Sequence, residues 1–141
     1  MNKLVHSAQS SQGRVAIYTR VSSPGQEEDG TSLDTQLERC RLYAEQNGYQ
    51  VVGVYSEVFT GTEYRDRKEL SALREVVRSK SADVVLAYAI DRLSRNQAHV
   101  YILADEFGDH GARLEFVTES FEDSAVGRFI RSAKAFAAEV E

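Results

Sequence analysis

The 141 residues are enough for one domain with a buried core, and a composition of 42% hydrophobic and 28% charged residues is that of a soluble globular protein. No apolar run is long enough to span a bilayer, and the opening MNKLVHSAQSSQG lacks the apolar segment of a secretion signal, so a cytoplasmic protein without a membrane partner is expected. The single cysteine, Cys40, excludes an internal disulfide and a cysteine-cluster zinc site, and a net charge of −5 argues against an extended nucleic-acid footprint.

Residues 1–13 read as a polar, flexible arm. The β-branched and aromatic stretch RVAIYTRVS, 14–22, predicts a buried first strand, and SPGQEEDG behind it predicts an acidic loop punctuated by Pro24, Gly25 and Gly30. Thr31 or Ser32 caps a helix with Leu33, Leu37, Cys40 and Ala44 on its apolar face, ending at Asn47-Gly48. VVGVYSEVF, 51–59, is a second strand and TGTEYR a second loop. Asp66 and Glu69 suggest a capping box for a helix that turns Leu70, Leu73, Val76 and Val77 inward. DVVLAYAI, 83–90, suits a central parallel strand; a helix over about 96–110 and a strand over 113–118 follow. Strands alternating with helices give an α/β fold, an open and mainly parallel sheet flanked by helices, over residues 14–124.

From 125 to 141 the pattern changes. Val126, Ile130, Ala133, Ala137 and Val140 recur at spacings of four and three, widened by Phe129 and Phe136, which predicts an amphipathic helix with a heptad-like seam. No Gly, Asn or Pro stop signal follows, so the helix reads as cut rather than finished, and its seam is expected to pack on its own domain or on a partner chain.

Charge is distributed unevenly. Residues 1–23 carry +3, 24–63 carry −6, 64–98 carry +3 and 99–141 carry −5. The two basic segments hold the residues that interest a chemist, because sites in open α/β sheets form beyond the carboxyl ends of strands. Arg20 and Ser22 end the first strand on the same side of it, by alternation. Asp91 and Arg92 end the third, followed by Arg95, and Arg65, Arg67 and Lys68 precede the second helix. A hydroxyl attacking a phosphodiester needs its developing negative charge neutralised, and the arginine fork does this while never losing its own charge. No histidine is placed for a triad: His6 lies in the arm, and His99 and His110 in a helix. Taken singly, Ser22 is a turn cap, Arg92 and Arg95 a solvated face, Gln26 and Gln36 surface amides, Asp66 a helix cap, and Tyr18 and Cys40 core. Their meeting at one sheet edge is what points to a site.

The strings that carry these residues have a family pattern. AIYTRVSSPGQ resembles the N-terminal signature of the resolvase/invertase serine recombinases, and SLDTQ, YRDRKEL and AIDRLSRN follow in that family's order and close to its spacing. GRFIRSAKAFAAEVE resembles the start of its long helix, so the resemblance covers residues 14–141. Ser23-Pro24 departs from it, standing where threonine and a non-proline residue are common; the Arg-Val-Ser register still favours Ser22.

The resemblance implies that Ser22 is the nucleophile, that Arg20, Arg67, Asp91, Arg92 and Arg95 surround the scissile phosphate, and that Gln26, Gln36, Asp66 and Glu141 support the site. It implies a 5′-phosphoserine intermediate, double-stranded DNA as partner, self-association to a dimer and tetramer, and chemistry that needs no metal, no ATP and no other cofactor. The loop containing EEDGTS looks more like that of the large serine integrases than that of the small resolvases, and this likeness implies large C-terminal DNA-binding domains that lie outside this sequence. Two other readings compete. A serine-nucleophile nuclease would cut without yielding recombined product, and a silent DNA-binding or interaction module would form no covalent adduct with DNA.

Overall fold

The computed structural model describes residues 13–21, 32–58, 67–121 and 124–140. Four strands form one sheet in the order β2-β1-β3-β4, with every pairing parallel: β1 is Arg14–Val21, β2 Gln50–Val58, β3 Val84–Ala87 and β4 Arg113–Phe116. The helices are α1 (Leu33–Gln46), α2 (Lys68–Arg78), the single turn α3 (Ile90–Leu93), α4 (Gln97–Asp109) and α5 (Ser124–Val140). Among the described residues no helix is long and apolar enough to cross a membrane.

The strand periodicity of two divides the core. Val15 and Ile17 of β1, with Val84 and Leu86 of β3, face α1 and pack on Cys40 and Ala44. Ala16 and Tyr18, with Val85 and Ala87, face the other side, where Leu70, Leu73 and Val77 of α2 and Val100, Leu103 and Phe107 of α4 cover them. β1 is sealed on both faces, as its unbroken apolar run requires. Burying a side chain such as Leu73 stabilises the fold by about 1.5–3 kcal/mol.

The amino-terminal end of the sheet is tied by an ion pair. Asp83 accepts from the Arg14 backbone N–H at 3.0 Å and from its Nε and Nη2 at 2.9 and 3.1 Å, while the Asp83 N–H donates to the Arg14 carbonyl at 2.7 Å. The carboxyl ends of the strands are thereby left to the loops that carry the basic residues.

The sequence expectations hold for the fold with local differences. Ser32 is the cap of α1, its Oγ accepting from the Thr35 N–H, and Gly48 takes the left-handed φ of +72° that ends the helix. At the start of α2 Arg67 occupies the N-cap without a side-chain capping bond, and the Glu69 and Leu70 N–H groups donate to Glu57 on β2, at 3.0 and 3.3 Å; Asp66, the expected capping residue, lies outside the described residues. The apolar run 83–90 is not strand to its end; β3 stops at Ala87 and Ile90 opens a helical turn. Along α5, Ala133 and Ala137 are exposed, as are Phe129 and Phe136, and the described side-chain tie to α4 is Lys134 Nζ on Asp105 at 3.1 Å. The side chains of Val126, Ile130 and Val140, the rest of the expected seam, lie outside what is described.

Candidate active site

Four segments meet beyond the carboxyl ends of β1, β2 and β3: the end of β1, the first part of α1, the N-terminus of α2, and the turn Ile90–Arg95. At their centre Arg20, 4% exposed, reaches across to the turn. Its Nε donates to the Arg92 carbonyl at 3.0 Å and its Nη2 to the Asp91 carbonyl at 2.6 Å. The guanidinium thus holds the turn by main-chain atoms, and the two carbonyl dipoles offset part of the cost of burying the cation.

The backbone of Arg20 is itself gripped. Gln36 of α1, fully buried, accepts from the Arg20 N–H at 3.1 Å and donates Nε2 to the Arg20 carbonyl at 3.0 Å. A side-chain amide has one donor and one acceptor side by side, the same pair that a neighbouring peptide would offer. Gln36 is therefore no surface amide, but a positioning residue for Arg20.

Arg67 approaches from the N-terminus of α2. Its Nη2 donates to the Leu93 carbonyl at 2.5 Å and to the Tyr18 hydroxyl at 2.6 Å, and the guanidinium stands 5.4 Å from the centre of the Tyr18 ring. The Tyr18 hydroxyl in turn donates to Glu57 Oε1 at 2.7 Å, and Arg67 Nε lies 3.9 Å from the same oxygen. Burial pushes the Tyr18 phenol well above its ordinary pKa, with Arg67 opposing that rise and Glu57 adding to it. Tyr18 therefore stays protonated, a fixed link from a buried carboxylate to Arg67.

Arg92 is buried, 2% exposed, with Nη1 3.4 Å from Asp91 Oδ1, whereas the Asp91 carboxylate and Arg95 are exposed. Asp91, Ser94, Arg95, Gln97 and Glu119 line an open cavity of about 340 Å³. Glu119 accepts from the Ile90 N–H at 2.9 Å and so tethers the start of the turn.

The structure brings together six of the residues singled out in the sequence: Arg20, Gln36, Arg67, Asp91, Arg92 and Arg95. Ser22, Gln26, Asp66 and Glu141 lie outside the described residues. The solvated-face reading of Arg92 is overturned by its burial. Sequence reasoning passed over Glu57 and took Tyr18 for core packing alone; a lone carboxylate near the carboxyl end of the strand VVGVYSEVF was the available signal. It also set His99 aside as a helix residue, yet His99 Nδ1 stands 3.1 Å from Ser94 Oγ, inside the same turn.

Three buried or half-buried arginines, Arg20, Arg67 and Arg92, gathered around one turn with Arg95 exposed beside them, form a preorganised cationic site. It suits an anion carrying several oxygens. Comparison with known proteins shows the family. The family model described as Resolvase, N terminal domain matches residues 15–141. A putative DNA recombinase of Bacillus subtilis (strain 168) is 32% identical over 127 residues, 90% of this chain but 25% of that protein, so the chain spans a quarter of that relative's length. The N-terminal catalytic domain of TP901-1 integrase superposes with a TM-score of 0.72 at 33% identity, covering 90% of this chain and 98% of that one. The C-terminal catalytic domain of ISC1926 TnpA, an IS607-like serine recombinase, gives 0.64 at 33% identity, with 90% and 84% covered.

Proposed function

This chain belongs to the resolvase N-terminal domain family, and from that premise we propose that it is the catalytic domain of a serine recombinase that cuts and rejoins double-stranded DNA. The observation that carries the proposal is the convergence of Arg20 and Arg67 on the carbonyls of the turn Asp91–Leu93, which fixes Arg92 and Arg95 at the sheet edge next to where β1 ends. Ser22, one residue beyond Val21, is the nucleophile.

The chemistry follows from charge. Ser22 Oγ attacks phosphorus, the bond to the 3′ oxygen breaks, and the 3′ oxygen leaves as a hydroxyl, taking up a proton while the serine loses one. The DNA 5′ end is left as a phosphoserine ester. Negative charge grows on the non-bridging oxygens in the transition state, where the arginines stabilise it. Because the ester keeps the bond energy, reversal by a 3′ hydroxyl reseals DNA without ATP, and the electrostatic work assigned to the arginines leaves no step that calls for a metal or another cofactor. Gln26, Asp66 and Glu141 are proposed to support the site. The whole protein is proposed to act in the cytoplasm as a dimer and tetramer joined through the helix over 125–141, with residues 1–13 as an arm and 14–124 as the catalytic body.

The test is a suicide-substrate assay scored on denaturing gels for protein joined to the 5′ end of cleaved DNA. Ser22→Ala is expected to abolish the adduct while synapsis of two DNA sites persists, and Ser23→Ala is expected to retain it. An adduct that survives in Ser22→Ala and is lost in Ser23→Ala would overturn the assignment. Adduct without recombined product would leave a nuclease, and no adduct from the wild-type protein would leave a binding module.

A further inference from the structure

Between α3 and α4 three residues close a small ring of hydrogen bonds. The Asn96 N–H donates to Ser94 Oγ at 3.1 Å, and the His99 N–H donates to Asn96 Oδ1 at 3.3 Å. The third side is the 3.1 Å approach of His99 Nδ1 to the same Ser94 Oγ. Ser94 is 8% exposed and His99 half-buried. With Oγ accepting from Asn96, its own proton is free to point at Nδ1, and in the neutral imidazole with its proton on Nε2 that nitrogen accepts it.

The ring sits on the stretch that matters to the site. Leu93, whose carbonyl takes Arg67, is one residue before Ser94, and Arg95 one residue after. The charged groups facing the imidazole are Arg67 beside it at the start of α2, Arg74 along α2, and Glu106 on its own helix α4. Burial lowers the His99 pKa first, Arg67 and Arg74 lower it further, and Glu106 opposes them. Burial and the two arginines favour the neutral ring, and the 3.1 Å contact gives its Nδ1 a hydroxyl to accept from.

We infer that His99 is a positioning residue: as a neutral acceptor it locks Ser94, and through it the stretch 93–96, against Arg67, and protonation in acid opens the lock. Once protonated, Nδ1 becomes a donor. The contact with Ser94 Oγ must reverse, the hydroxyl proton loses Nδ1 as its acceptor and has to turn away, and a new cation faces Arg67 and Arg74. The kinetic half of this inference rests on the recombinase reading above; the lock itself does not.

The experiment has two arms. In the protein that carries this chain, single-turnover adduct formation is followed between about pH 5 and pH 8 for wild type, His99→Asn and His99→Phe. Asparagine offers an acceptor oxygen near the place of Nδ1 and does not titrate. Wild type is expected to lose on the order of tenfold in rate across the acid limb, the scale of one hydrogen bond. His99→Asn should keep the rate near neutrality and lose the acid limb, and His99→Phe should be slow at every pH. In the second arm, the imidazole of His99 is titrated by NMR in this chain with and without Ser94→Ala, which should raise its pKa by removing the donor to its neutral form. Superimposable pH profiles for wild type and His99→Asn, or a titration unmoved by Ser94→Ala, would overturn the inference. If wild type gives no adduct at any pH while Ser94→Ala still moves the titration, the recombinase reading falls and the lock stands.

Discussion

The side chain of Gln36 and the main chain of Arg20 exchange two hydrogen bonds, 3.1 and 3.0 Å long, in the fully buried floor of the site. A helix side chain there does the work of a neighbouring strand, pinning the Arg20 backbone where the guanidinium must reach the turn. Gln36→Met keeps the volume and removes both partners. Each buried peptide group left without a bond costs about 1–3 kcal/mol, so thermal denaturation should show a drop of several degrees, and adduct formation should slow in parallel. A melting temperature equal to wild type would show that the amide is dispensable.

Tyr18→Phe cuts the link between Glu57 and Arg67 while leaving the ring packed. The expected loss is about 1–3 kcal/mol of stability together with a slower cleavage step, because Arg67 keeps its bond to the Leu93 carbonyl but loses its phenolic partner. Chemical denaturation and single-turnover rates measure the two effects. A rate unchanged from wild type would make Tyr18 a packing residue after all.

Arg20→Lys and Arg95→Lys should fail in different ways. Lysine at position 20 cannot make two carbonyl bonds through a fixed fork, so both melting temperature and cleavage rate should fall. Arg95 is exposed, and its replacement should spare stability. The rate should still drop on the order of a hundredfold if Arg95 meets the developing phosphate charge. Differential scanning fluorimetry beside adduct kinetics separates the two patterns.

The Arg14 guanidinium beside Asp83 holds that carboxyl below its ordinary range. A carboxylate whose pKa is lowered by folding contributes stability above its unfolded value, near about 3.9, and loses it as pH falls through the folded value. Wild-type melting temperature should therefore decline below about pH 4. Asp83→Asn should melt lower than wild type at neutral pH, by about 1 kcal/mol for a partly exposed pair, and show a shallower acid decline. Parallel acid slopes for the two proteins would count against the pair.

Phe129 and Phe136 are 70% and 68% exposed on α5, so aspartate at either position should cost little packing within the chain. If α5 is the self-association helix, Phe136→Asp should shift sedimentation toward monomer with the melting temperature of the monomer unchanged. A protein that is monomeric with and without the substitution would remove this helix from the assembly proposal.

Much of this molecule was legible because periodicity and position carry information locally. The unbroken β-branched and aromatic run in RVAIYTRVS shows a strand with two buried faces, and Asp-Arg-x-x-Arg after an apolar run shows a charged segment just past a strand. Other parts were not, for reasons of geometry. The capping of α2 by Glu57 joins residues more than ten positions apart, and nothing near Glu69 in sequence announces it. The burial of Arg92 depends on a helical turn of four residues, too short for any periodicity to reveal. Gln36 reads as polar and therefore as surface; only the placement of the first turns of α1 against the end of β1 turns it inward.

The turn at Asp91–Leu93 is held through oxygens that every amino acid possesses. Replacing its exposed side chain, Asp91, leaves the anchor points in place, so a library varied there would sample new chemistry on an unchanged mount. For a domain of this family to be retuned rather than rebuilt, that separation of fixture from tool is a practical starting point: diversity belongs at the exposed Asp91, and the buried Arg92 and Leu93 and the two arginines that clamp the turn should be left alone.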